Sequence, residues 1–213
     1  IGYLKRLEKT TLNGSIYYKK SKGVFTFINE ATGNSVYVND ILVPVIRRSP
    51  INLSSQEEIG IEFSTNYTHS KDWRIGGNIN FYQSEIIGNY NRVVYDSKNL
   101  IWSARLNNYL KLFSSVDWQT RLSYRGPQKN AISTRKGSVS TNTALSKDIF
   151  GDKMTLTFKI NDIFETQKWR LETLSQTYKN YTEASWRGGR NFNLSLIYRF
   201  NQKKKQGNSR PSY

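Results

Sequence analysis

The sequence predicts an all-β chain, an antiparallel up-and-down meander of about eight strands. Three observations predict it. Apolar and polar residues alternate with period 2 in run after run, which gives a strand one apolar and one polar face. Connections between the runs alternate short and long. Aromatic residues gather at the ends of the runs, on the apolar side.

The last hairpin shows the alternation most plainly. In residues 190–200, Phe192, Leu194, Leu196, Tyr198 and Phe200 share one face with Arg190, against Asn191, Asn193, Ser195, Ile197 and Arg199. Its partner run, 154–161, sets Met154, Leu156, Phe158 and Ile160 against Thr155, Thr157, Lys159 and Asn161.

From the start, residues 1–4 alternate weakly, as a strand cut short, and a charged turn follows at 5–9. Residues 11–19 set Leu12, Gly14, Ile16 and Tyr18 against Asn13, Ser15, Tyr17 and Lys19. Residues 20 to about 54 read as a long polar connection with a short β-like piece at 24–27, broken by Pro44 and Pro50. Ile59, Ile61, Phe63, Thr65 and Tyr67 make the next apolar face, and 69–72 a tight turn. Trp73, Ile75, Gly77, Ile79 and Phe81 follow, then a second long connection over 84–98. Leu100, Trp102, Ala104 and Leu106 precede a short turn at 113–115; Val116, Trp118, Thr120, Leu122 and Tyr124 come after it. A third long connection, 126–136, carries Pro127. A weaker strand, 137–145, leads to the glycine turn 150–152, and a fourth long connection covers 165–187. Residues 1–200 thus form one β portion, and 201–213 a basic polar tail expected to be disordered.

Composition narrows the function classes. The chain has 213 residues, 37% of them hydrophobic, with a mean hydropathy of −0.66. No run approaches the ~18 apolar residues of a membrane helix, whereas barrel strands need be apolar on one face only. Cysteine is absent, which excludes disulfides, zinc–thiolate sites and thiol catalysis. The net charge of +16 points either to an anionic partner or to cations spread over loops and a wet face. The spread favours the second reading, because only Lys203–Lys204–Lys205 forms a tight basic run.

The apolar faces could meet in a soluble core or face lipid. Alternate connections of an antiparallel meander lie at opposite ends of the sheet. All short turns therefore fall at one end and all long loops at the other. With strands near the ~9–11 residues that cross a bilayer obliquely, this asymmetry predicts a transmembrane β-barrel portion with short periplasmic turns and long extracellular loops. Trp73, Trp118, Tyr18, Tyr67, Tyr124, Tyr198 and Phe200 then stand where an interfacial belt belongs. Glu62, Arg74, Arg105, Arg121, Arg125, Lys159 and Arg199 fall on the opposite face and line the lumen.

Three stretches resemble the C-terminal part of outer-membrane barrels of the TonB-dependent receptor group, as found in Bacteroidota-type bacteria. They are Gly2-Tyr3-Leu4-Lys5-Arg6 through Leu12–Lys19; Asn52-Leu53-Ser54 through Ser64 with Trp73–Tyr82; and Leu156–Phe164 with Lys168-Trp169, ending on Leu196-Ile197-Tyr198-Arg199-Phe200. Asn161-Asp162-Ile163-Phe164 resembles the Asn-x-Phe element before the last extracellular loop of these receptors. Phe200 resembles the terminal aromatic read by the barrel-assembly machinery, although residues 201–213 follow it here. The resemblance implies a barrel of about 22 strands around a plug, of which this chain supplies about eight, so that alone it would make an open curved sheet. It implies uptake of a scarce nutrient (an iron chelate, cobalamin, a glycan or a peptide) powered by an inner-membrane complex through the plug. The implied surroundings are outer-membrane lipid and lipopolysaccharide, with no nucleic acid.

The residues themselves offer no catalyst. His69, the one histidine, falls in a short turn away from the long loops. Asp148, Asp152 and Asp162 make no metal set, and neither a cofactor nor an enzymatic activity is expected. Trp169, Arg170, Tyr178, Tyr181, Trp186 and Arg187, all in the fourth long connection, are the candidate ligand-binding residues of an outer mouth. Two alternatives remain at this level: a surface barrel that transports nothing, and a soluble basic β protein that binds nucleic acid or glycan.

Overall fold

The computed structural model describes residues 1–113, 115–129, 133–151, 153–174, 179–185 and 188–200. The ordered elements are strands: β1 (Gly2–Arg6), β2 (Thr10–Val38), β3 (Ile41–Ser70), β4 (Trp73–Ile87), β5 (Asn89–Tyr90), β6 (Val93–Val94), β7 (Ser97–Leu112), β8 (Val116–Arg125), β9 (Gln128–Lys129), β10 (Ser133–Arg135), β11 (Ser138–Ile149), β12 (Met154–Asn161), β13 (Lys168–Leu174), β14 (Lys179–Ser185) and β15 (Asn191–Tyr198).

Nine of them form one antiparallel sheet, in the order β1-β2-β3-β4-β7-β8-β11-β12-β15. Spatial order follows chain order, as in an up-and-down meander. The sheet is open, with β1 at one edge and β15 at the other. Residues 11–19 are not an edge: β1 covers them, pairing Gly2–Arg6 with Thr11–Ser15.

The register carries the alternation from strand to strand. One row on the apolar side runs Phe63, Ile79, Ala104, Tyr124 and Val139. That side is not a core. Ile79 is 51% exposed, Trp102 40%, Phe158 39% and Leu194 69%. Among the described residues the buried hydrophobic ones are Ile28, Tyr95 and Ile101, and none of these lies in the apolar rows.

The largest departure from expectation concerns residues 20–54. They are not a loop: β2 runs for 29 residues and β3 for 30, paired from Thr10↔Tyr67 to Val38↔Ile41. Asn39 and Asp40, both at positive φ (48° and 62°), close the tip as a two-residue turn whose twist matches the flanking strands. Pro44 and Pro50 do not break β3, because it has no second neighbour until Ser55 and an edge position tolerates a missing N–H.

The other long connections fold too. Residues 84–98 extend β4 and β7 and form the small β5–β6 hairpin, turned by Asn91 and Arg92 at positive φ. Residues 126–136 and 165–187 contribute β9, β10, β13 and β14 to a separate sheet in the order β14-β13-β10-β9. His69 lies within β3 rather than in the turn, which is Lys71–Asp72 alone. Its ring stands edge-on to Trp73 at 5.0 Å, and Nδ1 lies 3.2 Å from the Tyr67 hydroxyl.

Candidate functional site

The polar side of the sheet holds a hollow of about 710 Å³, lined from β1 across to β12. Register brings Glu62, Arg74, Arg105, Arg121, Arg125 and Lys159 to this side, through pairs such as Glu62↔Asn80, Asn78↔Arg105, Asn107↔Arg121, Ser138↔Arg125 and Ala144↔Lys159. Arg74 lays its guanidinium over the Tyr109 ring at 4.4 Å, and the Tyr109 hydroxyl donates to Asp117 at 2.7 Å. Arg121 Nε donates to Asn107 Oδ1 at 2.9 Å. Arg199 belongs to a separate cluster near the short turns. There Thr155 Oγ1 donates to Asp148 Oδ1 and accepts from Arg199 Nη2, while Arg199 Nη1 stands 3.9 Å from the same carboxylate.

Small residues shape this side. Gly60 sits between Tyr17 and Tyr82, and a Cβ there would come within 2.7 Å of the Tyr17 ring and 2.5 Å of Tyr82 Cβ. Gly76 lies under the Asn66 amide, 2.7 Å from where its own Cβ would be.

At the long-loop end, the four-stranded sheet is fastened to the main one. Asn99 Oδ1 accepts from the Lys129 backbone N–H at 2.9 Å, and Asn99 Nδ2 donates to Lys129 O. Arg135 sits near Tyr82 and Arg125, and burial together with the Arg125 charge pushes its pKa below the ordinary value. Residues 88–96 also fold back on themselves, with Tyr95 N–H donating to Gly88 O at 2.8 Å and the Tyr95 ring buried near Glu30.

Asp162 anchors the start of the fourth connection. It is 3% exposed, and its carboxylate accepts from the backbone N–H of Thr166 (3.0 Å) and Gln167 (3.0 Å to Oδ2). Its own N–H donates to Asn142 Oδ1 at 2.9 Å. An aspartate three residues ahead of a polar Glu-Thr-Gln run is the signal that could have marked this role in the sequence.

Of the candidate mouth residues, Tyr178, Trp186 and Arg187 lie outside the described residues. Trp169 and Arg170 are consecutive on β13 and so point to opposite sides of the loop sheet. Arg170 and Tyr181 converge on Glu183: Arg170 Nε lies 3.0 Å and the Tyr181 hydroxyl 2.8 Å from Glu183 Oε2, and Lys168 Nζ 2.9 Å from Oε1. The Lys168 and Tyr181 hydrogen bonds hold the Glu183 carboxyl down to about 2. Glu172 meets Lys136 at 2.9 Å on the same side. Composition flagged the aromatics and arginines here but not Glu183, whose partners depend on the β13–β14 register.

The dimensions of the apolar side decide what it faces. Its rows extend from Trp73, Leu110 and Trp118 at the short-turn end to Ile59, Gln83 and Leu100 at the other. From Trp73 to Gln83 the strand advances about 33 Å, and a tilt of about 40° leaves about 25 Å along the normal, the height of a barrel's apolar band. Trp73 and Trp118 mark the lower border, each with its indole N–H satisfied at 2.9 Å, by Asn108 and Thr143. Trp102 and Tyr124, with ring centroids 4.2 Å apart, stand towards the upper one.

A family model described as the outer membrane protein beta-barrel family matches residues 1–198. The chain belongs to the outer membrane protein β-barrel family. No curated protein and no solved structure matches it. The outer-membrane barrel protein therefore resides in the bacterial outer membrane, its apolar side against lipid. The soluble alternative falls, because its hydrophobic rows would have had to meet in a dry interior. Phe200, beyond the end of β15, is 72% exposed.

Proposed function

We propose that this outer-membrane barrel is the strand-forming part of a receptor that takes up a scarce nutrient in a TonB-dependent manner. The observation that carries the reading is the pairing of a polar, cation-rich side with long loops that are themselves folded into a sheet fastened over one end. A rigid sheet that presents structured loops is where ligand recognition concentrates. In this reading Glu62, Arg74, Arg105, Arg121, Arg125, Lys159 and Arg199 line the lumen. Trp169, Arg170, Tyr178, Tyr181, Trp186 and Arg187 contribute to the outer mouth. The partners are a plug, the inner-membrane energy-coupling complex acting through it, and the barrel-assembly machinery, which reads Phe200. The protein catalyses no reaction and carries no cofactor.

The test is energised uptake by cells with Trp169→Ala and Tyr181→Ala in the full protein. At normal surface expression, uptake should fall; unchanged uptake rejects the mouth. Loss of the inner-membrane energy complex should abolish it, and uptake that persists rejects TonB dependence.

A second reading, a surface barrel that transports nothing, draws on Glu183. Lys168, Arg170 and Tyr181 all spend their polar groups on that one carboxylate, which suits a self-supporting loop surface as well as a mouth. Normal growth of a deletion strain on every nutrient that limits its parent would favour it.

A further inference from the structure

Several cations at the rims and loops are paired: Lys20 with Glu57, Arg47 with Glu30, Lys98 with Glu85, Lys136 with Glu172, and Arg190 with Glu165, all within 3.4 Å. In the hollow on the polar side they are not. Arg6, Arg74, Arg121 and Lys159 line it, no Asp or Glu does, and among the described residues none of the four meets a carboxylate within ion-pair distance.

The register sets their spacing. Arg74, Tyr109, Gln119, Ala144 and Lys159 form one row from β4 to β12. Arg121 stands one row away on β8, midway between the other two. Two strand steps separate Arg121 from each, about 10 Å across the sheet, plus about 7 Å along it. Side chains of that length on a concave surface can converge on one polyanion but not on a lone chloride. Ala144, with its short side chain, leaves the floor beside Lys159 low. The remaining lining is neutral and able to donate hydrogen bonds, as at Asn66, Asn107 and Gln119. Arg74 Nε is buried without a hydrogen-bond partner among the described residues.

Unpaired like charges held on a low-dielectric wall repel one another, and a concave wall focuses their field on whatever enters. We propose that this hollow binds an anionic solute carrying two or more carboxylate or phosphate groups. Arg121 is the central contact, with Arg74 and Lys159 on either side. This deepens the uptake reading, and rests on it in that the polar side must face enclosed water; the site's occupancy does not depend on energised transport.

The experiment is calorimetric titration of the detergent-extracted protein with citrate and with pyrophosphate, and with raffinose as the neutral probe. At low ionic strength both anions should bind, raffinose should not, and sodium chloride should weaken binding. Arg121→Gln with Lys159→Gln should weaken it at least about tenfold. The charge-keeping pair Arg121→Lys with Lys159→Arg should retain most of it, which separates lost charge from a lost fold. Absence of citrate and pyrophosphate binding overturns the proposal, as it would if an acidic segment of the protein itself filled the hollow. Undiminished binding in the glutamine pair overturns it too. Anion binding without uptake overturns the receptor reading alone; uptake without anion binding overturns only this one.

Discussion

Tyr17 lies across Gly60, its direct partner on the neighbouring strand, and reaches the strand beyond, where its hydroxyl donates to Asn80 Oδ1 at 3.1 Å. The ring occupies the space a side chain at 60 would need. One aromatic thus bridges three strands of the sheet. Gly60→Ala should displace both Tyr17 and Tyr82 and cost about 1–3 kcal/mol as overpacking. Tyr17→Phe removes only the hydrogen bond, about 0.5–1.5 kcal/mol. Urea titration of the protein refolded in vesicles measures both; an alanine at 60 as stable as glycine would mean that the ring is not seated there.

Asp162 makes a second prediction. Its carboxylate is buried and accepts backbone N–H groups of Thr166 and Gln167. Asp162→Ala leaves those donors unmet and should cost about 2–3 kcal/mol locally. Asp162→Asn keeps one acceptor and suits the positive φ of 50° at this position, so it should cost less. Limited proteolysis between residues 165 and 187 should accelerate in the alanine variant first. Equal cleavage of wild type and alanine variant would remove Asp162 from this role.

Glu183 predicts a pH dependence for the loop sheet. Its pKa lies at about 2 against an ordinary 4.5, so the folded carboxyl holds its proton less tightly than the unfolded one. The stabilisation is therefore complete above pH 4.5 and is lost as pH falls from there through about 2. Amide exchange in β13 and β14, corrected for intrinsic rates, should rise between pH 5 and about 2.5. Glu183→Gln should flatten that rise, and high salt should reduce it, because the group is exposed. The same rise in the glutamine variant would place the titration elsewhere.

The two sides of the sheet should respond oppositely to charge. Leu122 and Leu106 pair near the middle of the apolar band. Leu122→Arg should destabilise the membrane-embedded protein by about 2–4 kcal/mol, the cost of an arginine at the bilayer midplane. Ser123→Glu, one residue away on the polar side and opposite Arg105, should cost well under 1 kcal/mol, roughly the scale of a surface substitution. Vesicle refolding equilibria check the pair; equal costs would contradict the assignment of faces.

Much of the spanning sheet was legible because it depends on a local property. Leu12 and Ile16, or Leu194 and Leu196, declare their face through period 2, whatever they pair with. The short turns were legible from their polar and glycine residues, except that His69 was absorbed into β3, where aromatic neighbours hold it. The long connections were misread as loops. Residues 24–38 find their partner in 41–54 on the far side of the Asn39–Asp40 turn, and the prolines that mark a break in a central strand are harmless at an edge. The shared sheet of β10 and β13 joins residues 36 to 40 apart, a pairing that no local pattern announces.

By itself, then, the sequence determined which residues face lipid, which face water, and at which end the loops collect, because alternation and turn chemistry act over a few residues at a time. The tertiary structure alone decided which cations find a carboxylate. Lys168 and Arg170 meet Glu183, whereas Arg121 and Lys159 meet none within the hollow, and only cross-strand register and sheet curvature bring distant side chains within a few ångströms or keep them apart.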